Sequence, residues 1–150
     1  MNSVKKGSMS KNWLKGSVGL INEKVKFKCL VEGKEPIIVD YTPPLGDGEG
    51  YTSLELLLLS LASCFASTVK LMVNNHLKKR IDDLQVLASG IRREEHPTAF
   101  ESINLELMFK SSEIKPEALE EVMQLAKDKF CPVWAMLKNN VEIKTTIKPL

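Results

Sequence analysis

Residues 52–72, TSLELLLLSLASCFASTVKLM, constrain this chain more than any other stretch. Apolar side chains recur at three- and four-residue spacing and leave little polar circumference. The segment therefore predicts a helix that must be covered on most sides. Thr52 and Glu55 have capping-box spacing, in which hydroxyl and carboxylate satisfy two orphan amides. The helix is predicted to run to about Leu77, roughly 36 Å at 1.5 Å per residue. Its longest run without a charge, Leu56 to Val69, is 14 residues. A membrane span needs about 20, so a buried core helix is expected instead. A chain of 150 residues has few layers with which to cover such a helix. A second copy, in an interlocked homodimer, is expected to complete the cover.

Cys64 lies in the middle of this helix. Ser60, Ser63 and Ser67 share its face, and Thr68, Leu71 and Met72 continue it. Leu54, Leu58, Leu61, Phe65 and Val69 cover another flank. A stripe of small side chains is compatible with close helix packing, and free cysteine is among the most buried residue types. A second cysteine changes the balance. Cys131 stands in DKFCPVWAML, where Pro132 is suited to open a helix. That places Cys131 at or beside an N-cap, where a thiolate is favoured. Cys29, between Phe27 and Val31 in an alternating strand, reads as core.

Elsewhere the hydrophobic pattern alternates. WLKGSVGL, KVKFKCLV and PIIVDY predict a three-stranded meander, and TPPLGDGEGY a loop. LQVLASGI and TAFESINLELMFK predict two further strands. Pro116 opens a helix to about Phe130, a shorter helix follows Cys131, and VEIKTTIK closes the chain as a strand. The order βββ-α-ββ-α-α-β, with strands in runs, argues for an α+β fold. Length fits one domain over residues 12–150, after a flexible polar tail over residues 1–11.

Several function classes fall away. Net charge is only +2, which gives no nucleic-acid footprint. The lysines at 24, 26 and 28 and the 78–80 basic run read as solvated faces. Three cysteines make no secreted disulfide framework, and the polar N-terminus has no signal-like apolar region. A reducing, cytoplasmic setting is expected. No metal-ligand spacing occurs, and His76 and His96 are isolated and read as surface residues. GDGEG lacks the order of a phosphate loop and reads as a turn. No metal and no bound cofactor are expected.

SLELLLLSLASCFAS and KDKFCPVWAML, in this order, resemble the two signatures of the OsmC/Ohr family of osmotically inducible and organic hydroperoxide resistance proteins. IRREEHPTAFESINLELMF is similar to the strand pair between them, and the resemblance covers about residues 12 to 147. It implies an OsmC-like α+β fold: antiparallel sheets wrapped around long central helices in an intertwined homodimer. It also implies thiol-dependent reduction of peroxides, preferentially organic ones. Cys64 would be the peroxidatic cysteine, oxidised to a sulfenic acid, and Cys131 the resolving cysteine that closes a disulfide. An external dithiol would reset the pair.

Two family features are missing. Well-studied hydroperoxide resistance members place an N-terminal arginine at the thiolate and hold it with a glutamate before the cysteine helix. Here no arginine precedes Arg80, and Leu54 stands at the glutamate position. Glu55, nine positions before Cys64, is about half a turn around the helix and could serve only a partner subunit's site. Lys24 or Lys26 could supply a charge, without the planar two-toothed contact of arginine. Acidifying the sulfur would not compensate. Lowering a thiol from about 8.5 to about 5.5 raises the thiolate fraction roughly thirtyfold at neutral pH, while intrinsic nucleophilicity falls roughly 15- to 30-fold. Acceleration must come from a donor placed at the leaving alkoxide. A non-enzymatic, redox-responsive or small-molecule-binding dimer is therefore the alternative reading.

Overall fold

The structure, a computed structural model, describes residues 12–150; the tail expected over residues 1–11 lies outside the described residues. The chain divides into two compact units, one ending at Ser53 and one running Leu54–Leu150.

In the first unit, β1 (Gly16–Leu20), β2 (Phe27–Val31) and β3 (Ile37–Val39) form the antiparallel meander expected from their alternation. The β1–β2 turn is closed by Asn22, whose side-chain oxygen accepts the Lys24 and Lys26 amides at 3.0 Å each. Cys29 is half-buried rather than core. Among the described residues this unit has no helix to roof its face of the sheet, and Val31 beside it is exposed.

GDGEG is a turn, and its amides serve an internal anion. The fully buried Asp40 carboxylate accepts the amides of Tyr41 at 2.8 Å and of Asp47 and Glu49 at 3.1 Å each. Burial alone would raise this carboxyl. The three amides and the nearby Lys26 charge outweigh that and hold it below its ordinary value. Gly46 sits so close that an added Cβ would meet Tyr41 O at 2.1 Å and Asp40 Oδ1 at 2.3 Å. Lys24 pairs with Asp47 at 2.6 Å, and Lys26 pairs with Asp47 and Glu49. The lysines of the alternating strand are thus not a bare solvated face.

The second unit is built on α1 (Ser53–Met72), which begins one residue after Thr52, as the capping spacing requires. Its last turn widens into a π-helical turn, Val73–Leu77, and Lys78 in a left-handed conformation ends it. The whole helix is 25 residues and its most apolar 18-residue stretch has mean hydropathy 1.9, long and apolar enough to cross a membrane by length and composition. The 14-residue charge-free run understated this, because Lys70 is one isolated charge near its end. Leu61, Phe65, Val69 and Val73, one i+4 row, are fully buried against the rest of the unit.

Two strands follow, β4 (Asp83–Arg92) and β5 (Phe100–Lys110), paired antiparallel. In β5, Ile103, Leu105, Leu107 and Phe109 are buried, as the period of two requires. Next come α2 (Pro116–Leu125), a π-helical turn Ala126–Phe130, α3 (Pro132–Leu137) and β6 (Glu142–Pro149). The sheet order is β4-β5-β6, and β6 runs parallel to β5. The second sheet is therefore mixed, antiparallel between β4 and β5 and parallel between β5 and β6, where antiparallel sheets were expected. The two helices between β5 and β6 form a crossover long enough to return the chain in the same direction. One core joins α1, β5, α2 and α3.

Candidate functional site

Cys64 and Cys131 stand 67 residues apart in sequence and meet in space. Cys131 Sγ lies 3.3 Å from Cys64 Sγ and donates its hydrogen bond to it. Both are free thiols, Cys64 half-buried and Cys131 2% exposed.

Each element has a reason to deliver its sulfur there. On α1, Leu61 and Phe65 point into the core and turn the adjoining Cys64 toward α3. Phe65 stacks on Trp134, ring centroids 5.2 Å apart, which ties the two helices together one residue beyond Cys64. On the other side, Cys131 is the N-cap of α3, with extended backbone and its amide bonded to Ala126 O at 2.9 Å. That i→i−5 bond is the last of the π-helical turn.

The N-cap position does not make Cys131 a thiolate. Desolvation by burial dominates and pushes the thiol up to about 11. The amides of Trp134 and Val133 oppose this, and the contact with Cys64 adds to it. A helix of six residues offers too few free amides to offset near-complete removal from water. Cys131 therefore keeps its proton at neutral pH.

The rest of the Cys64 face behaves as its spacing predicts in part. Ser60, Ser63 and Ser67 are exposed, and Ser63 donates to Ser60 O at 3.2 Å. Thr68 donates to Cys64 O at 2.8 Å. Beyond Thr68 a cavity of about 420 Å³ opens, lined by Leu71, Met72, Asn75, His76, Leu125 and Phe130 as well. One wall continues the helical row that starts at Cys64; the other ends at Phe130, the residue before Cys131. Neither cysteine lines the cavity itself, which is largely apolar.

Glu55 is exposed, about 13.5 Å back along the axis and half a turn round, so one protomer does not bring it to the sulfurs. Thr68, Leu71 and Met72 were legible from helical spacing. Phe130 and Trp134 were not, since contacts across helices leave no local period. His76, read as a surface residue, is exposed but lines the cavity. Among the described residues no group of acids, histidines and cysteines could hold a metal ion.

Fold and site define an α+β scaffold that brings two free thiols into contact. The OsmC-like protein family matches residues 46–146, and the chain belongs to that family. Protein YhfA of Escherichia coli strain K12 is 29% identical over 90 residues, which are 60% of this chain and 66% of that relative's own length, just short of two thirds. An OsmC-like protein from Mycoplasma pneumoniae superposes with TM-score 0.80 at 20% identity, covering 95% of this chain and 99% of that one. An organic hydroperoxide resistance protein from Legionella pneumophila superposes with TM-score 0.72 at 16% identity, covering 91% and 97%. At such identities the likeness establishes the fold.

Proposed function

We propose that this protein is a thiol-dependent peroxidase that reduces organic hydroperoxides. One observation carries the reading: two reduced sulfurs in contact at 3.3 Å, with an apolar cavity that opens at Thr68, one helical turn from Cys64. A disulfide of about 2.05 Å closes from there by a small approach of the side chains. Cys64, the more accessible sulfur and the hydrogen-bond acceptor, takes the peroxidatic role. It attacks the peroxide and becomes a sulfenic acid; Cys131 condenses with that acid to a disulfide. An external dithiol then returns both thiols, with no bound cofactor. The apolar cavity favours a substrate with a hydrocarbon part over hydrogen peroxide.

A homodimer belongs to the same proposal. Leu59 and Leu71 on α1 are 50% and 59% exposed, and an open groove lined by Leu56, Leu59, Ala62, Ala66 and Val86 runs along the helix. A second copy covers this face, consistent with a family of dimers, and any action of Glu55 falls on the partner's thiol pair. The expected setting is the reducing cytoplasm.

The test mixes reduced protein with cumene hydroperoxide and counts thiols. Two thiols are lost per protomer in the wild type and none at the pair in Cys64→Ser. Unchanged thiol content, or equal loss in the variant, rejects the reading. The pairing of Lys24 and Lys26 with Asp47 and Glu49 of the loop after β3 favours one alternative, a non-enzymatic member that binds an apolar ligand. That reading expects slow oxidation and an apolar ligand retained on purification.

A further inference from the structure

The peroxidase reading leaves one requirement unassigned. Breaking the O–O bond of an alkyl hydroperoxide releases an alkoxide, a strongly basic leaving group that needs a proton or a positive charge as it forms. No arginine precedes Arg80, and Lys24 and Lys26 are held by Asp47 and Glu49. Two hydroxyls on the Cys64 face are committed as well: Ser63 donates to Ser60 O and Thr68 to Cys64 O. The donor aimed at the reacting sulfur is the Cys131 thiol, 3.3 Å away and 2% exposed.

Resting on that reading, we propose that Cys131 acts twice: first as the general acid that protonates the leaving alkoxide, then as the nucleophile that resolves the sulfenic acid. In the first step Cys64 Sγ, as thiolate, attacks the terminal oxygen of R–O–O–H. The S–O bond forms, the O–O bond breaks, and its electron pair stays on RO. That oxygen takes the proton of Cys131 Sγ, giving the alcohol, Cys64–S–OH and a Cys131 thiolate. In the second step this thiolate attacks Cys64 Sγ. The S–S bond forms, the S–O bond breaks, and hydroxide leaves and is protonated by solvent to water. The peroxide is reduced by two electrons and the two thiols are oxidised to one disulfide.

The burial that keeps Cys131 protonated suits both steps. A buried thiol at about 11 retains its proton at neutral pH. It is still far more acidic than water or an alcohol, so transfer to an alkoxide is downhill. The nucleophile for resolution is thereby generated only after the first bond has been cut, already in contact with its target.

The experiment follows the first step alone, by rapid mixing and trapping of the Cys64 sulfenic acid. It compares reduced wild type with Cys131→Ala, using tert-butyl hydroperoxide and peracetic acid. The peracid releases a carboxylate and needs no proton. With tert-butyl hydroperoxide, Cys131→Ala is expected to be slower by about 100-fold or more, the usual scale of a general acid. With peracetic acid its rate is expected to match the wild type. Cys131→Ser, which keeps an O–H donor, is expected between the two with the alkyl hydroperoxide, and it carries the comparison if the alanine variant does not fold. Equal rates with both oxidants, or equal slowing with both, would overturn the acid role and leave the peroxidase reading intact. A wild type inert to both oxidants would remove that reading and this proposal with it.

Discussion

Phe65 and Trp134 stack 5.2 Å apart, one residue after Cys64 and three residues after Cys131. The same pair of helices is therefore joined twice, by rings and by sulfurs. The rings bury the larger area and hold the register in which the sulfurs meet. Trp134→Ala is expected to cost about 3–5 kcal/mol of stability, the usual range for emptying a buried aromatic site. It is also expected to slow disulfide closure more than Trp134→Phe does. Denaturant unfolding and thiol-loss kinetics on the two variants check this; closure as fast in Trp134→Ala as in wild type would show that the rings do not set the register.

Raising the Cys131 thiol to about 11 from an ordinary 9.0 makes stability depend on alkaline pH. Below pH 9 both folded and unfolded chains keep this proton, and the group contributes no pH dependence. Between about pH 9 and pH 11 the unfolded chain loses the proton while the folded chain retains it. Stability therefore falls as pH rises through that window and levels off above it, by roughly 2–3 kcal/mol in all. Unfolding of reduced wild type and Cys131→Ala across this range isolates the effect, with the fall smaller in the variant.

Met72 lies half-buried in the cavity wall that begins at Thr68, one helical turn from Cys64. Met72→Trp fills space that a hydrocarbon group would use and leaves the sulfurs untouched. The expected outcome is a fall in kcat/KM for cumene hydroperoxide of about tenfold or more, equal to about 1.4 kcal/mol of transition-state stabilisation. Turnover of hydrogen peroxide should change little. An equal fall for both oxidants would place the substrate's hydrocarbon part elsewhere.

Asp40 organises the loop that precedes α1 through three backbone amides. Its carboxyl is held below the ordinary 3.8, so its contribution is fully present above that pH and is lost as pH falls through the depressed folded value. Asp40→Asn is expected to lower the melting temperature at neutral pH. The gap from wild type should narrow as acid protonates the wild-type carboxyl, which acid unfolding of the two proteins would measure. A gap that persists undiminished at low pH would mean the amides do not depend on the charge.

Strand and helix positions were legible because their cause is local. Alternation in Ile103–Phe109 and the i+4 row from Leu61 to Val73 each point one side of an element at a core, and both sides of that relation lie in one short stretch. The direction of β6 was not legible. Its pairing with β5 depends on how two helices route the chain, and the same alternating strand would fit either direction. Cys29 shows the limit of alternation: the face was read, but whether anything covers it depends on other layers.

At the site, the sequence by itself determined that Cys64 stands on a small-residue helical face and that Cys131 opens a helix at Pro132. The family of the chain was legible in the same two segments. Only the tertiary structure decided that the sulfurs touch and that Cys131 is buried deeply enough to hold its proton. In the first unit it also decided that Lys24 and Lys26 pair with Asp47 and Glu49. The physical reason is range. Periodicity and capping act over a few residues, whereas desolvation and contact between residues 64 and 131 depend on every element packed between them.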